Sequence, residues 1–278
     1  MARAIERIER DIAVLKEAIG AIATELQSAY ASYLVTLGQA LSKQLILATY
    51  HLCTQGYAEN FLSLSLNQRQ KLQQAVRKLS QQAAEELLTY MKSEEVEEVE
   101  EVEEVEEVEE VEEVEEVEES RSNPKFSDLS DPMELAEWQQ ELEEATQDIL
   151  KKVSHNANVL LQKAGVLPKK LPEPILAAAA AVSEASAEVI PGPPNLLNLV
   201  IEIENEQESE DSSLTQIMAI NLRLGEIEFA DMTLLSARKQ IRNILVQLNK
   251  LGREYQKRQR ELMVAEAEAA WRASWFED

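Results

Sequence analysis

Apolar residues recur every seven positions near the end of the chain. A second apolar set lies three residues after members of the first set in the sequence. The first set consists of Ile220, Ile227, Leu234, Ile241, Leu248, Tyr255 and Leu262, and the second of Ala230, Ala237, Ile244, Leu251 and Ala265. This spacing is typical of the seam of a coiled coil. It predicts a helix of about 60 residues within the segment 213–278, on the order of 90 Å long at 1.5 Å per residue.

The start of the chain carries a matching apolar stripe with 3-4 spacing. Its members are Ile5, Ile8, Ile12, Leu15, Ile19, Ile22, Leu26, Ala29 and Tyr33. A helix of this length cannot bury its own stripe, so we expect the two stripes to pair. Antiparallel pairing within one chain is favoured because the long segments between the helices let the two ends meet, and a parallel homodimer is the alternative. Isoleucine at both seam positions favours packing of three or four helices.

Capping residues mark the ends of the helices between the two stripes. Gly56 is expected to close the first helix in the left-handed conformation. Ser65, with Gln68 three residues later, forms a capping-box pattern that starts a second helix. Asp131, followed by proline, is the expected N-cap of a third helix, and Gly165 is expected to close it.

These patterns predict an all-α fold, an elongated antiparallel coiled-coil or helical bundle with disordered or solvated linkers. The composition agrees, because 7 glycines and 5% aromatic residues are poor material for an α/β enzyme rich in tight turns. Five segments are expected: an N-terminal long helix and helical hairpin (1–92), an acidic Glu-Glu-Val repeat spacer (93–130), a third helix (131–165), a proline/alanine-rich and acidic linker (166–212) and a C-terminal long coiled-coil helix (213–278).

Most of the negative charge lies in the repeat. The net charge is −25, but residues 94–119 hold 18 glutamates and no basic residue, which leaves −7 for the other 252 residues. Valine recurs there every three residues, so its positions spiral round a helix and never form one apolar face. We expect a solvated spacer. The favoured interpretation of its role is a repeat expansion with no specific function, and an electrostatic spacer or cation-attracting segment is the alternative.

The linker contains one apolar island, whose candidate interaction residues are Leu196, Leu197, Leu199 and Ile201. One interpretation is that the island docks on the protein's own helices. The other is that it is a strand or short helix offered to a partner. Both interpretations stay open at the level of sequence.

Four stretches resemble an uncharacterised group of cyanobacterial helical proteins. They are QLILATYHLCTQGY (44–57), SLNQRQ (65–70), PPNLLNLV (193–200) and AEAEAAWRASW (265–275). The resemblance covers most of the chain outside the Glu-Glu-Val repeat. It implies a host lineage and no activity.

No catalytic motif is present: the chain has no phosphate-binding loop, no dinucleotide fingerprint and no nucleophile elbow. His51 and Cys53 are two residues apart, about 200° round a helix, and cannot chelate one metal there. Cys53 is the one cysteine, which is consistent with a reducing compartment. We therefore expect no enzyme activity, no cofactor and no metal site.

Two surface features of the last helix are candidates for binding. The first is a basic flank over 238–260, composed of Arg238, Lys239, Arg242, Lys250, Arg253, Lys257, Arg258 and Arg260. It is either an ordinary charged flank of a coiled coil or a site for the acidic repeat, an acidic partner or nucleic acid. The second is an aromatic end, Trp271, Trp275 and Phe276, which either packs on the first two helices or docks another protein.

The sequence favours a structural or adaptor protein that binds protein partners through coiled-coil helices, and a homo-oligomer is one form this could take. The alternative is a peripheral factor that contacts nucleic acid or a membrane surface through the basic flank. Nucleic acid is the less favoured partner because the overall negative charge repels it. A cytoplasmic location is expected, since neither a signal peptide nor a transmembrane stretch is evident.

Overall fold

The computed structural model describes residues 2–90, 131–168, 193–203 and 213–275. In these ranges the protein is a bundle of helices with one two-stranded hairpin, which confirms the predicted all-α class. The elements in chain order are α1 (Ala2–His51), a π-helical turn (Leu52–Gly56), α2 (Ala58–Ser63), α3 (Leu66–Thr89), α4 (Pro132–Lys163), β1 (Leu196–Ile203), β2 (Ser213–Ile220), α5 (Leu224–Ala230) and α6 (Met232–Ser274).

The two terminal helices pair antiparallel within one chain, as the favoured interpretation predicts. Lys43 of α1 contacts Asp231 at 4.0 Å, just before α6 begins. At the other end, Asp11 lies 3.8 Å from Arg258. The numbering therefore runs in opposite directions along the pair. At 1.5 Å per residue, the 50 residues of α1 extend about 75 Å.

The core is deepest where α1 is also covered by other helices. Leu26, Leu34, Leu41 and Leu45 are fully buried there. Helix α3 approaches α1 closely at Gly38: a Cβ on this residue would lie 2.9 Å from the Cβ of Ala84, so only glycine fits. Helix α4 packs on α3 and meets α1 through a perpendicular ring contact between Tyr30 and Trp138, with centroids 5.5 Å apart. The middle of α1 is therefore part of a multi-helix core.

Local capping signals were read correctly at three helix ends. Ser65 and Gln68 form the reciprocal capping box at the start of α3. Asp131 caps α4 by accepting a hydrogen bond of 2.8 Å from the backbone N–H of Met133. Gly165, just after α4, has a φ of 82°, the left-handed region that favours glycine.

The expectation of one continuous helix over 213–278 is wrong at its start. Residues 213–220 form strand β2, which pairs antiparallel with β1, so part of the expected linker is also a strand. Asp231 then separates α5 from α6: its backbone is extended and its side chain accepts from the N–H groups of Thr233 and Leu234. An aspartate cap ends one helix and starts another, which interrupts the seven-residue pattern.

The hairpin is attached to the bundle by side chains that bind its backbone. The amide of Asn158 donates to the carbonyl of Ile220 and accepts from its N–H, both at 2.9 Å. The hydroxyl of Tyr57 accepts from the N–H of Met218 at 3.1 Å and donates to its carbonyl at 3.2 Å. These contacts satisfy backbone groups of β2 that β1 does not reach.

Gly56 does not close α1 in the left-handed conformation, contrary to expectation. It ends a π-helical turn, and among the described glycines the positive φ belongs to Gly165. A Cβ on Gly56 would lie 3.0 Å from the sulfur of Met218. The absence of a side chain at this residue therefore lets the turn lie close to Met218 of β2.

Two predicted segments lie outside the described residues, namely the acidic spacer (93–130) and most of the proline/alanine-rich linker (166–212). Within the described ranges, no helix combines the length and apolar character that crossing a lipid bilayer requires.

The hydrogen bonds between Asn158 and β2 predict that replacing Asn158 destabilises the protein more than replacing Asn249 does. Asn158→Ala removes both hydrogen bonds to Ile220 and should lower the free energy of unfolding by about 1–3 kcal/mol, because backbone groups are left without partners. Asn249→Ala, on the exposed side of α6, should change it by less than about 0.5 kcal/mol. Urea denaturation monitored by circular dichroism measures both. Equal effects would show that the amide of Asn158 does not hold the hairpin.

Candidate interaction surfaces on the terminal helices

The start of α1 and the end of α6 extend beyond the rest of the described bundle. Helix α4 starts beside the middle of α6, where Gln256 Nε2 donates to the sulfur of Met133 at 3.8 Å. From Gln256, α6 continues for 18 more residues, about 27 Å, alongside the start of α1. We call residues 2–15 of α1 together with residues 256–275, which end one residue after α6, the two-helix extension.

The seam inside the two-helix extension is only half-buried. Ile5, Ile8, Ile12 and Leu15 are all of intermediate exposure, whereas Leu26 and Leu34, further along the same stripe, are buried. The partner residues on α6 follow the same trend, with Tyr255 buried and Leu262, Ala265 and Ala269 intermediate. Two helices alone cannot enclose a seam rich in isoleucine, which suits packing of more than two helices.

Large apolar side chains also lie on the outer surface of the two-helix extension. They are Val14, Met263, Val264, Trp271 and Trp275. Trp271 and Trp275 are each 67% exposed, and their ring centroids are 5.8 Å apart. The expected packing of this end on the first two helices is therefore not found for the two tryptophans, and Phe276 lies outside the described residues.

The helix register explains why the tryptophans are exposed. Arg258 lies opposite Asp11, so α1 has nine more residues to Ala2, while Trp271 is 13 residues further along α6. At 1.5 Å per residue, Trp271 lies about 6 Å past Ala2. No described side chain of α1 reaches that far.

Six of the eight flank residues share one exposed face of α6, which we call the cationic face: Lys239, Arg242, Lys250, Arg253, Lys257 and Arg260. At 100° per residue they fall within an arc of about 80°, over a length of about 32 Å. No described carboxylate lies within ion-pair distance of any of the six. Arg258 is different, because it pairs with Asp11 and Glu261.

Arg238 does not belong to the exposed flank, which corrects the sequence-based grouping. It is 8% exposed and lies at the junction of four helices. Its Nε donates to Glu228 at 2.6 Å, its Nη2 donates to the hydroxyl of Tyr33 at 2.6 Å, and its Nη1 pairs with Glu143. The Tyr33 hydroxyl in turn donates to Glu228 at 2.6 Å. A buried guanidinium with these partners stabilises the junction and is not available to a ligand.

The pKa values of Tyr33, Tyr30 and Arg238 are all raised in this buried network. Burial raises the pKa of Tyr33, which the charge of Arg238 opposes and the hydrogen bond to Glu228 reinforces. Burial and the neighbouring carboxylate of Glu143 raise the pKa of Tyr30, whose hydroxyl donates to that carboxylate at 2.7 Å. Burial lowers the pKa of Arg238, but its hydrogen bonds and charged partners outweigh that effect and raise it. At neutral pH, Arg238 is therefore charged and the hydroxyls of Tyr30 and Tyr33 are neutral.

The first leucines of the apolar island pack within the described part of the protein. Leu196 and Leu197 are each 5% exposed, and Leu199 is of intermediate exposure, while nothing is described for the side chain of Ile201. Just before them, Asn195 is buried, with a φ of 60°, and its side chain binds Gln44 of α1. Leu196 and Leu197 are therefore core residues in this conformation, which corrects their selection as interaction residues.

The single cysteine is a core residue. Cys53 is 4% exposed, and burial raises the pKa of its thiol to about 11. The thiol is therefore protonated at neutral pH, whereas nucleophilic attack requires the thiolate. Within the described ranges no three or more histidine, cysteine or acidic side chains are grouped so that they could hold a metal.

Comparison of the chain with protein-family models, with curated proteins and with solved structures found no match. The resemblance of four stretches to helical proteins of cyanobacteria stays a prediction. Binding is therefore inferred from the surfaces of the described residues, among them the two-helix extension and the cationic face.

The buried tyrosines predict a loss of stability at alkaline pH. A tyrosine whose pKa is raised by folding stabilises the protein fully below its unfolded pKa of about 10, and this contribution is lost as the pH rises further, by up to about 1.4 kcal/mol per pH unit. Tyr33→Phe should make the decline between pH 10 and 11.5 shallower by about that amount. Tyr50→Phe, at a 58% exposed position, is the control variant. Urea denaturation at a series of pH values measures both slopes, and identical slopes would contradict the prediction.

Proposed function

We propose that the protein is a non-enzymatic structural or adaptor protein that binds other proteins through the two-helix extension. The observation that carries the proposal is the half-buried seam together with the exposed tryptophan pair at its end. Exposed apolar groups concentrated in one region of a surface mark interaction sites. Tryptophan contributes more binding energy than most residues when a partner buries it.

The chemistry of the extension suits a helical partner. Its seam follows coiled-coil spacing, and isoleucine at both seam positions packs best among three or four helices. One or two helices from another protein would complete such a bundle, and a second copy of this chain is one source of them. A cytoplasmic location fits the proposal, since the chain contains one cysteine and its thiol is buried.

The test is recovery of partners from lysate with the whole chain and two matched double variants. Trp271→Ala with Trp275→Ala removes the aromatic end, and we expect it to lose at least one partner that the wild type binds, by about tenfold or more. Leu62→Ala with Leu66→Ala removes two side chains that are as exposed, at 67% and 71%, but lie away from the extension. This control should keep every partner. Quantitative mass spectrometry measures the recovery.

Two results would count against the proposal. If both variants recover the same proteins as the wild type, the tryptophans are not part of a binding site. If both lose the same partner, the effect is not specific to the extension. Circular dichroism of each variant establishes first that its helix content is unchanged.

A second candidate function is supported by the cationic face, which could bind nucleic acid or an anionic membrane surface. Six cations without a described counter-ion favour it, while the net charge of −25 opposes it. Binding of labelled duplex DNA and of phosphatidylserine vesicles, measured at 50 and 300 mM salt, distinguishes this function from the first. For this function we expect measurable binding that falls at least tenfold with salt. An absence of binding at 50 mM salt would exclude it for the whole chain.

A further inference from the structure

We propose that the cationic face of α6 is a docking surface for the chain's own acidic repeat, residues 94–119. This inference is independent of the protein binding proposed for the two-helix extension, because it concerns the cationic face and not the apolar seam or the tryptophan pair. It competes with the second candidate function, which assigns the same face to an external polyanion. It commits to one occupant of that face, and a second copy of the chain or an external polyanion would be a different outcome of the test.

Charge complementarity is the first argument. Lys239, Arg242, Lys250, Arg253, Lys257 and Arg260 lie without a described counter-ion along about 32 Å of helix, and like charges so arranged repel one another. Helix α6 bears one acidic residue between positions 232 and 260, Glu254. The repeat supplies 18 glutamates within 26 residues and no basic residue, so it is the densest source of negative charge in the chain.

Reach is the second argument. The described chain resumes at Asp131, and Pro132 packs directly on α6: a Cβ on Gly252 would lie 3.2 Å from its Cβ. Eleven residues separate Glu119 from Asp131, and they can extend about 36–40 Å. The most distant cation, Lys239, is 13 residues from Gly252, about 20 Å along the helix.

The segment before Asp131 is also long enough to pass round α6 to the cationic face. Gly252 and the centre of the cationic face lie on different sides of α6, about 120° apart at 100° per residue. A helix with its side chains is about 10–12 Å across. The segment between Glu119 and Asp131 can therefore bring the repeat to any of the six cations.

Tethering decides the strength of such docking. A single exposed ion pair contributes little binding energy, so no one contact would hold the repeat in place. A tether of this length gives an effective concentration of order millimolar, and several weak pairs then act together. The docking is therefore expected to be reversible and to weaken as salt screens it, with a screening length of about 8 Å at physiological ionic strength. While docked, the repeat would exclude other polyanions from the face.

Zero-length carbodiimide cross-linking of the whole chain tests the proposal, because it joins glutamate to lysine only where they are in contact. At 50 mM salt we expect cross-links from the repeat to Lys250 and Lys257 to be at least fivefold more abundant than those to Lys151 and Lys152. These control lysines are 57% and 60% exposed on α4, and Lys152 contacts Glu86, three residues before α3 ends at Thr89. At 500 mM salt the difference should disappear. Equal cross-linking of all four lysines at 50 mM would overturn the proposal.

Two further arms make the result specific. Arg253→Glu with Arg260→Glu keeps both reporter lysines and should reduce their cross-links at least threefold, whereas Trp271→Ala with Trp275→Ala should leave them unchanged. A mixture of isotope-labelled and unlabelled chains identifies the source of the glutamates. Cross-links mainly between labelled and unlabelled chains would assign the face to a second copy and reject the intramolecular occupant.

Discussion

The arrangement of the helices depends on one buried positive charge. Arg238 of α6 binds Tyr33 of α1, Glu143 of α4 and Glu228 of α5 at the same time. Removing a guanidinium from water costs several kcal/mol, which is offset only when its partners are all in place. A slip of one residue along α6 would rotate Arg238 by 100° away from them. The network therefore fixes the register of α1 and α6, which a seam of similar leucine and isoleucine side chains fixes only weakly.

Much of the bundle was predictable because the signals are local or periodic. The capping residues Ser65 and Asp131 act within three residues of themselves, and the heptad positions of Leu234, Ile241 and Leu248 are buried as their spacing predicts. The role of Arg238 could not be found in this way. One of its carboxylate partners, Glu143, is 95 residues distant in sequence, so no local pattern links the two residues. Because Arg238 lies among other basic residues in the sequence, it was predicted to be exposed with them.

The hairpin shows what periodicity does not determine. Ile220 and Ile227 are seven residues apart and both are buried, as a continuous helix would require, yet one ends a strand and the other lies in α5. Spacing indicates which residues are buried, but it does not determine whether the backbone between them is helical or extended. The contrary signal was Asp231, whose capping of α6 requires its own backbone to be extended and so interrupts a continuous helix.

The antiparallel pairing of α1 with α6 has a consequence for synthesis of the chain. Tyr33 meets Arg238 across 205 residues, so the long apolar stripe of α1 is complete long before its partner exists. At translation rates of about 5–20 residues per second, the stripe waits roughly 10–40 s for α6. During that interval α3 and α4 can cover the middle of α1, whereas its first 15 residues have no partner. Closure of the pair is therefore a late, long-range event in the folding of this protein.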